Sequence, residues 1–497
     1  MDYAQSKVKV YRQEVSFLPD QSRVITKLFD LDKVRIYKVF DRILNLSDKE
    51  RDIILKQILA NFKERHKNVK RIFKDNFDEV TKHLDITIYN ELPLEKKLLI
   101  GAYFTLEYSI ESAALFNPSI VPHPFQNPLD LDKDELKVSI SFRAVGEGHM
   151  SSVVFRSGIL DKNGDIRMDP ISHRVEMAKI IHSAEYSAED FAMKLKDMGQ
   201  YDCVKEVFDE LLDSFTVEEM QYSLKLFREK HSPSKKQELA IDTLYWIVRS
   251  NYEMEFSENS DLSERVIFPR STTDIRAIED ARFVAFNEEE GDITYYAPYT
   301  AYNGLTILPQ LIETKDFYRF RIRTMTGAGS QNKGIAMFPE KINGKYAIIS
   351  RNDSENLYIM YSDNETYWDK PVLLREPTYY WEFIQIGNSG SPIKTEKGWL
   401  LLTHGVGPMR IYVIGAILLD LKDPSKVIAE LQEPLLIPME SERNGYVPNV
   451  VYSCGAMLHN DWVVMPYAAS DTRSGIVKFK LQEILKNMVG TGNSMTN

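Results

Sequence analysis

Between Ser263 and Leu481 the sequence is a succession of short β segments with no helix-length stretches between them. Tyr295–Tyr302, Tyr346–Arg351, Leu357–Ser362, Trp399–Thr403, Ile411–Leu419 and Trp462–Tyr467 are each bounded by Gly, Asn, Asp or Pro, residues that end strands and form turns. Parallel strands need long crossovers, usually helical, so this pattern argues against a parallel α/β sheet and for antiparallel units. A small-polar–Asp turn followed by an aromatic recurs: Thr314-Lys315-Asp316 before Phe320, and Tyr361-Ser362-Asp363 before Trp368. Repeated β blades leave such echoes, so a β-propeller is the leading architecture and a sandwich the second.

Two other regions have helical texture. Ser47-Asp48-Lys49-Glu50 is a capping-box pattern, followed by Ile54, Leu55, Ile58, Leu59 and Phe62 on one apolar face. The basic run from Lys63 to Lys74 reads as a solvated helix surface with Val69, Ile72 and Phe73 turned inward. Ser187-Ala188-Glu189-Asp190 and Thr216-Val217-Glu218-Glu219 start further helices, and Leu244, Trp246, Ile247 and Val248 lie in another. Val138–Phe142 and Ser151–Phe155 read as strands around the turn Val145-Gly146-Glu147-Gly148. The expected organisation is an N-terminal helical region (1–104), a first part of the β domain (105–174), a helical insertion (175–250), the remaining β domain (251–485) and a tail (486–497).

At 497 residues the chain exceeds one ordinary core. A net charge of −11 argues against nucleic acid or an anionic membrane surface as partner. The N-terminal residues lack an apolar signal-peptide core, no apolar run reaches membrane-span length, and Cys203 and Cys454 lack metal-site spacing; a reduced, cytoplasmic chain is expected. No P-loop, dinucleotide fingerprint, HExxH or nucleophile-elbow motif occurs, so no metal and no organic cofactor is expected.

Polar clusters interrupt the apolar β sequence. They are Arg143 to His149, Glu279-Asp280-Ala281-Arg282, Asn332-Lys333 with Ser350-Arg351-Asn352-Asp353, and Gly387-Asn388-Ser389-Gly390-Ser391 with Thr403-His404-Gly405, Pro448-Asn449, Tyr467 and Asp471. Singly, each reads as a turn or an ion pair; Asp280 with Arg282 could simply close a loop. Jointly they suit a pocket lined by carboxylates, amides and bases, which fits a sugar together with an anion.

The motifs Ile278–Phe283, Tyr299-Thr300-Ala301-Tyr302, Ala336–Tyr346 (AMFPEKINGKY), Gly398–Val406 (GWLLLTHGV), Ile414–Asp420, Val447–Val451 (VPNVV) and Tyr467–Thr472 (YAASDT) resemble glycoside hydrolase family 130, the mannoside phosphorylases and mannosidases. Leu115–Val121 and Ser141–Phe155 extend the likeness, whereas residues 1–100 and 175–250 lie outside it. The resemblance implies a mainly β chain, a five-bladed β-propeller, with the helical regions as additions. It implies Asp280 as general acid, protonating the glycosidic oxygen through the mannose 3-hydroxyl, with inversion at the anomeric carbon. Inorganic phosphate would attack as co-substrate, giving α-mannose 1-phosphate.

On the same basis Arg143, Glu279, Arg282, Tyr302, Asn388, Asn449, Tyr467 and Asp471 are expected to bind sugar, and Lys333, Arg351 and His404 phosphate. Ser350 stands where many phosphorylases have His, and Leu308-Pro309-Gln310 where they often have Arg. These departures keep a hydrolytic β-mannosidase open, with Glu340, Glu355 or Glu382 as base. A non-catalytic glycan- or protein-binding propeller is the reading from another class. The expected partners are a β-mannoside and phosphate, with self-association through the amphipathic helices.

Overall fold

The computed structural model describes residues 5–491, apart from 83, 85–90, 128, 130, 182–184, 272–273, 290 and 305–306. The chain is mainly β with added helices, and most of its described strands fall into five largely antiparallel units. The first two are joined in one sheet by a parallel pairing of Ala277 with Ser151, while Val24–Leu28 with Thr105–Ser109 and Tyr186–Ser187 with Ser214–Phe215 form two small separate sheets. The first unit is Ala114–Pro122, Leu136–Val145, Ser151–Leu160 and Ile166–Met168. In the second, Ala277–Glu279 and Val284–Asn287 both pair with Ile293–Tyr302, followed by Ile307–Thr314 and Arg319–Thr324. The third is Ala336–Met337, Tyr346–Ser350, Leu357–Ser362 and Val372–Arg375. In the fourth, Gln385–Asn388 and Ile393–Thr395 share the partner Gly398–Val406, followed by Tyr412–Leu419 and Val427–Glu430.

The fifth unit joins the two ends of the chain. Val451–Tyr452 and Met457–His459 pair with Trp462–Ala469, then Arg473–Lys480, and the N-terminal strand Tyr11–Phe17 completes the sheet. The stretch 1–104, expected to be helical, therefore begins with a sheet strand. The two echoed turns fall at equivalent places, closing the third strand of the second unit at Thr314 and of the third unit at Ser362.

The cores lie between units. Phe155 packs with Phe283, Tyr295 and Phe320; Phe286, Tyr296 and Leu311 with Met337, Ile348 and Trp368; Phe338 and Ile349 with Trp399 and Leu401. Leu400 and Leu402 pack with Val463 and Met465, and Phe142 and Val154 with Val464 and Ile476. A strand buried on both faces needs apolar residues at successive positions, which is why Trp399-Leu400-Leu401-Leu402 runs without polar alternation.

The helical parts have cores of their own. Ile36, Phe40, Phe73, Phe77, Leu99 and Phe104 join the four N-terminal helices, where Ser47 and Glu50 make the expected capping box. The insertion packs Phe191, Leu195, Met220, Leu224, Ile241 and Leu244 among Ala188–Asp197, Tyr201–Asp209, Val217–Lys230 and Lys235–Ser250. Its stem is not helical, because Lys179–Ile181 and Tyr252–Glu255 extend the second unit beyond Arg319–Thr324. Of the expected tail, Lys486 and Asn487 end the helix Leu481–Asn487, and Val489–Gly490 pairs with Ala429 and Glu430; residues 492–497 lie outside the described ones.

Candidate active site

The first strand of several units is broken at a corresponding place, and each break carries polar groups. In the first unit a bulge falls between Phe116 and Ser119, with Asn117 at φ 48°. In the second, Asp280 to Phe283 separates two half-strands opposite Pro298, which has no N–H to continue the ladder. Ser389 to Pro392 and Ser453 to Ala456 interrupt the fourth and fifth units, and Lys333-Gly334 precedes the short strand of the third. A bulge redirects side chains that a regular strand would alternate, so these breaks can present polar groups together. Asp280, Asn332, Ser470 and Asp471 also have positive φ, a strained conformation for non-glycine residues that concentrates at functional sites.

Asp280 is the hub. Asn117 Nδ2 donates to its Oδ1 at 2.6 Å, and Arg143 Nη1 approaches the same oxygen at 3.4 Å. Arg143 Nη2 also donates to Glu279 Oε1 at 2.8 Å, while Lys333 Nζ donates to Glu279 Oε2 at 2.7 Å. Glu279 thus spans the two cations beside the candidate acid. Burial pushes the Asp280 carboxyl up, but Arg143, Arg282, the Asn117 amide and Lys333 together outweigh it and leave it below the usual carboxylate range. Asp471 shows the opposite balance: burial, then the charge of Asp280, raise it to about 6 against the pull of Arg143 and Arg410.

The anion-binding candidates lie next to this hub. Gly334, at φ +87°, sits so that a Cβ there would be 3.7 Å from Asn388 Oδ1 and 4.0 Å from Arg351 Cβ. Arg282 is buried and donates to the Tyr452 hydroxyl at 2.5 Å. His404 is buried 4.9 Å from the Tyr452 ring, its Nδ1 3.2 Å from the Asn388 carbonyl. Burial, Arg351 and Arg282 hold His404 well below its ordinary pKa, so it is neutral and contributes no cationic charge to an anion.

Among the described residues, buried polar atoms without a partner include Arg143 Nε, Arg282 Nε, Arg351 Nε, Asn117 Oδ1, Asn388 Oδ1, Ser389 Oγ and Thr403 Oγ1. Buried polar atoms are costly to leave unpaired, so these are groups a polar ligand can satisfy.

Other expected site residues have their polar atoms engaged elsewhere. Tyr467 donates to Glu442, which also accepts from Arg12. Asn449 Oδ1 accepts from Arg443 Nε at 2.8 Å, and the Tyr302 hydroxyl donates to the Gly304 carbonyl. Glu340 pairs with Lys394; Glu382 is fully buried against Arg375 Nη1 and the N–H groups of Thr378 and Tyr379; Glu355 is exposed. Among the described residues, the side-chain partners of Asp280 are Asn117 and Arg143, neither of which bonds to any of these three carboxylates. Ser350 is bonded to Asn352, and Gln310 to Tyr299 and the Ser250 carbonyl.

Two site residues escaped the sequence reading: Asn117, which donates to Asp280, and Tyr452, which accepts from Arg282. Asn117-Pro118 reads as a strand breaker, and only the bulge turns its amide onto Asp280. Cavities of about 290 and 530 Å³ lie against the N-terminal helices, and their lining residues include none of this cluster. No three His, Cys, Asp or Glu side chains are grouped to hold a metal among the described residues, and no helix there is long and apolar enough to cross a membrane.

In this β protein the hub thus joins a carboxylate held at positive φ to amide, guanidinium and ammonium groups. The family model described as beta-1,4-mannooligosaccharide phosphorylase matches residues 225–489, over half of the chain, and the chain belongs to glycoside hydrolase family 130. It is 35% identical over 236 residues to the 1,2-beta-oligomannan phosphorylase of Thermoanaerobacter sp. (strain X514), covering 45% of this chain and 75% of that one. It is 27% identical over 377 residues to the beta-1,2-mannobiose phosphorylase of Listeria innocua serovar 6a, covering 73% and 97%. The solved structure of a Listeria innocua beta-1,2-mannobiose phosphorylase bound to beta-1,2-mannobiose is similar at 23% identity and TM-score 0.45, over 76% of this chain and 92% of that one.

Proposed function

We infer that this chain is an inverting β-mannoside phosphorylase, with β-1,2-linked mannobiose or a short β-1,2-mannan as substrate and inorganic phosphate as co-substrate. The observation that carries the reading is the Asp280 hub, one carboxylate facing Asn117, Arg143, Arg282 and Lys333 in a chain of this family. In the reading, five units arranged as propeller blades bring their broken first strands to one mouth. Core clusters linking each unit to the next, and the first to the fifth, support that arrangement.

The mannose ring sits over Asp280, Asn117 and Arg143, with Asp471 and Asn388 beside it. Phosphate enters on the side of Lys333 and Arg351. Its oxygen forms the new bond to the anomeric carbon as the glycosidic C–O bond breaks. The proton from Asp280, relayed by the 3-hydroxyl, ends on the departing acceptor hydroxyl. The free site keeps Asp280 ionised, which is the wrong form for a general acid. Phosphate brings negative charge beside Lys333 and Arg351, offsets the cations that depress Asp280, and so favours its protonated form. Donor and nucleophile then assemble the acid together.

The pairing of Glu340 with Lys394 and of Glu382 with Arg375 supports phosphorolysis over hydrolysis, since water would need a free carboxylate opposite Asp280. The test is incubation with β-1,2- and β-1,4-mannobiose, with and without phosphate, following α-mannose 1-phosphate and free mannose. Phosphate-dependent formation of α-mannose 1-phosphate is expected. Mannose release at the same rate without phosphate overturns the reading in favour of a β-mannosidase.

A further inference from the structure

The helical insertion grips the segment that carries Lys333. This segment, 325–334, leaves the strand Arg319–Thr324 and ends at the Lys333 ammonium on Glu279. At its start, Asn251, directly after the helix Lys235–Ser250, accepts from Thr324 N–H at 2.9 Å and donates to Thr324 Oγ1 at 3.1 Å. Asn251 is itself held by the buried Lys194, whose Nζ lies 3.1 Å from Asn251 Oδ1. Three residues further on, Gly327 N–H donates to Asp197 Oδ2 at 2.8 Å. Asp190, on the same helix as Asp197, accepts from Asn364 Nδ2 in the turn against which the segment lies.

The helix gains nothing of its own from Asp197. A carboxylate in the last turn opposes the helix dipole. What the residue secures is the Gly327 amide. Gly327 has φ +100°, and a Cβ there would lie 2.1 Å from the Trp368 carbonyl oxygen, so the segment is pressed against the third unit. Thr326 N–H donates to Thr366 O, Trp368 N–H to Thr326 O and Gly329 N–H to Trp368 O, and Asn352 Nδ2 holds the Gly329 carbonyl. Asn332 is tied to Ser354, and its side chain accepts from Lys333 N–H. A displacement at Gly327 is therefore transmitted through these bonds toward Lys333.

We propose that the insertion is a positioning device for the phosphate side of the active site, and that Asp197, through the Gly327 amide, is a positioning residue for Lys333. The proposal rests on the phosphorylase reading only for the identity of the anion. Asp197 is solvent-exposed, so its variants should fold. The experiment compares kcat and the two KM values, for phosphate and β-1,2-mannobiose, in wild type, Asp197→Ala, Asp197→Asn, Lys333→Ala and the Asp197→Ala/Lys333→Ala double variant, with thermal midpoints recorded for each.

Loss of one partly exposed charge-assisted hydrogen bond should raise the phosphate KM of Asp197→Ala by about three- to tenfold, with the mannobiose KM changed less than about twofold. Asp197→Asn, which keeps an acceptor, should restore most of the loss, and Asp197→Ala should add nothing once Lys333 is gone. A phosphate KM unchanged in Asp197→Ala, or both KM values rising together, overturns the proposal while leaving phosphorolysis intact. A wild type indifferent to phosphate overturns both.

Discussion

Replacing Lys194 with Met should change how stability depends on pH, and the direction follows from where the lysine sits. Its side chain is buried, with Nζ bonded to Asn251 Oδ1 and 5.4 Å above the Phe191 ring centroid. Burial and then Arg323 lower the ammonium, against the pull of Asp190 and Glu365, to about 7. In the unfolded chain the same lysine titrates near the ordinary value of 10.5. Below about pH 7 both states are protonated, and the folded one bears the whole cost of burying the charge. Between about 7 and 10.5 the folded state has lost its proton and the unfolded state has not, so this group's contribution to stability rises with pH. From pH 6 to 8.5 the rise is about 2 kcal/mol, and over the full window about 5 kcal/mol.

Methionine has no titration, so its advantage over lysine should be largest at pH 6 and shrink by about 2 kcal/mol at pH 8.5. Loss of the Asn251 bond shifts the whole comparison by a constant and leaves the slope alone. Urea unfolding of wild type and Lys194→Met at the two pH values measures the difference, and groups titrating equally in both proteins cancel. A variant-minus-wild-type difference that stays constant within about 0.5 kcal/mol would refute the argument, because Lys194 would then remain charged throughout, held by Asp190 and Glu365.

Asp280→Asn should lower kcat by at least about a thousandfold with little change in thermal midpoint; retention of a tenth of the wild-type rate would remove Asp280 as the acid. Asp471→Asn should abolish an acid limb near pH 6 in the kcat/KM profile, read as a property of the Asp280–Asp471 pair; an unshifted limb would assign it elsewhere. Glu111 is fully buried between Arg23 and Arg156, joining the N-terminal arm to the first unit. Glu111→Gln should cost about 3–5 kcal/mol in urea unfolding, since two buried guanidinium groups lose their counter-charge; a loss under about 1 kcal/mol contradicts that.

The features legible in the sequence are those set by local chemistry. Turn residues mark the strands, the Ser47–Glu50 and Thr216–Glu219 capping boxes form as the spacing dictates, and Val69 and Phe73 turn inward from the basic run. The Glu279-Asp280-Ala281-Arg282 cluster is legible as chemistry because a strand rarely carries such residues for packing alone. What stays hidden is pairing over distance. The common break in the first strands appears only once each is set against its neighbour. The base candidate Glu382 cannot be told from a structural carboxylate until Arg375 is seen on it.

Gln310 shows how a departure from a family pattern changes meaning when its partners are known. In the sequence it is a basic group lost from an anion site. In the structure it accepts from the Tyr299 hydroxyl at 2.5 Å and donates to the Ser250 carbonyl at 2.9 Å, at the C-terminal end of the insertion's last helix. An arginine could donate to that carbonyl but could not accept from Tyr299, and its charge would need a counter-ion in a fully buried position. Gln310 and Thr324 lie opposite each other on adjacent strands, and Ser250 and Asn251 bond to one each. Gln310 and the insertion therefore form one structural unit: Gln310 and Thr324 are a neutral docking pair for Ser250 and Asn251, and that pair anchors the segment leading to Lys333.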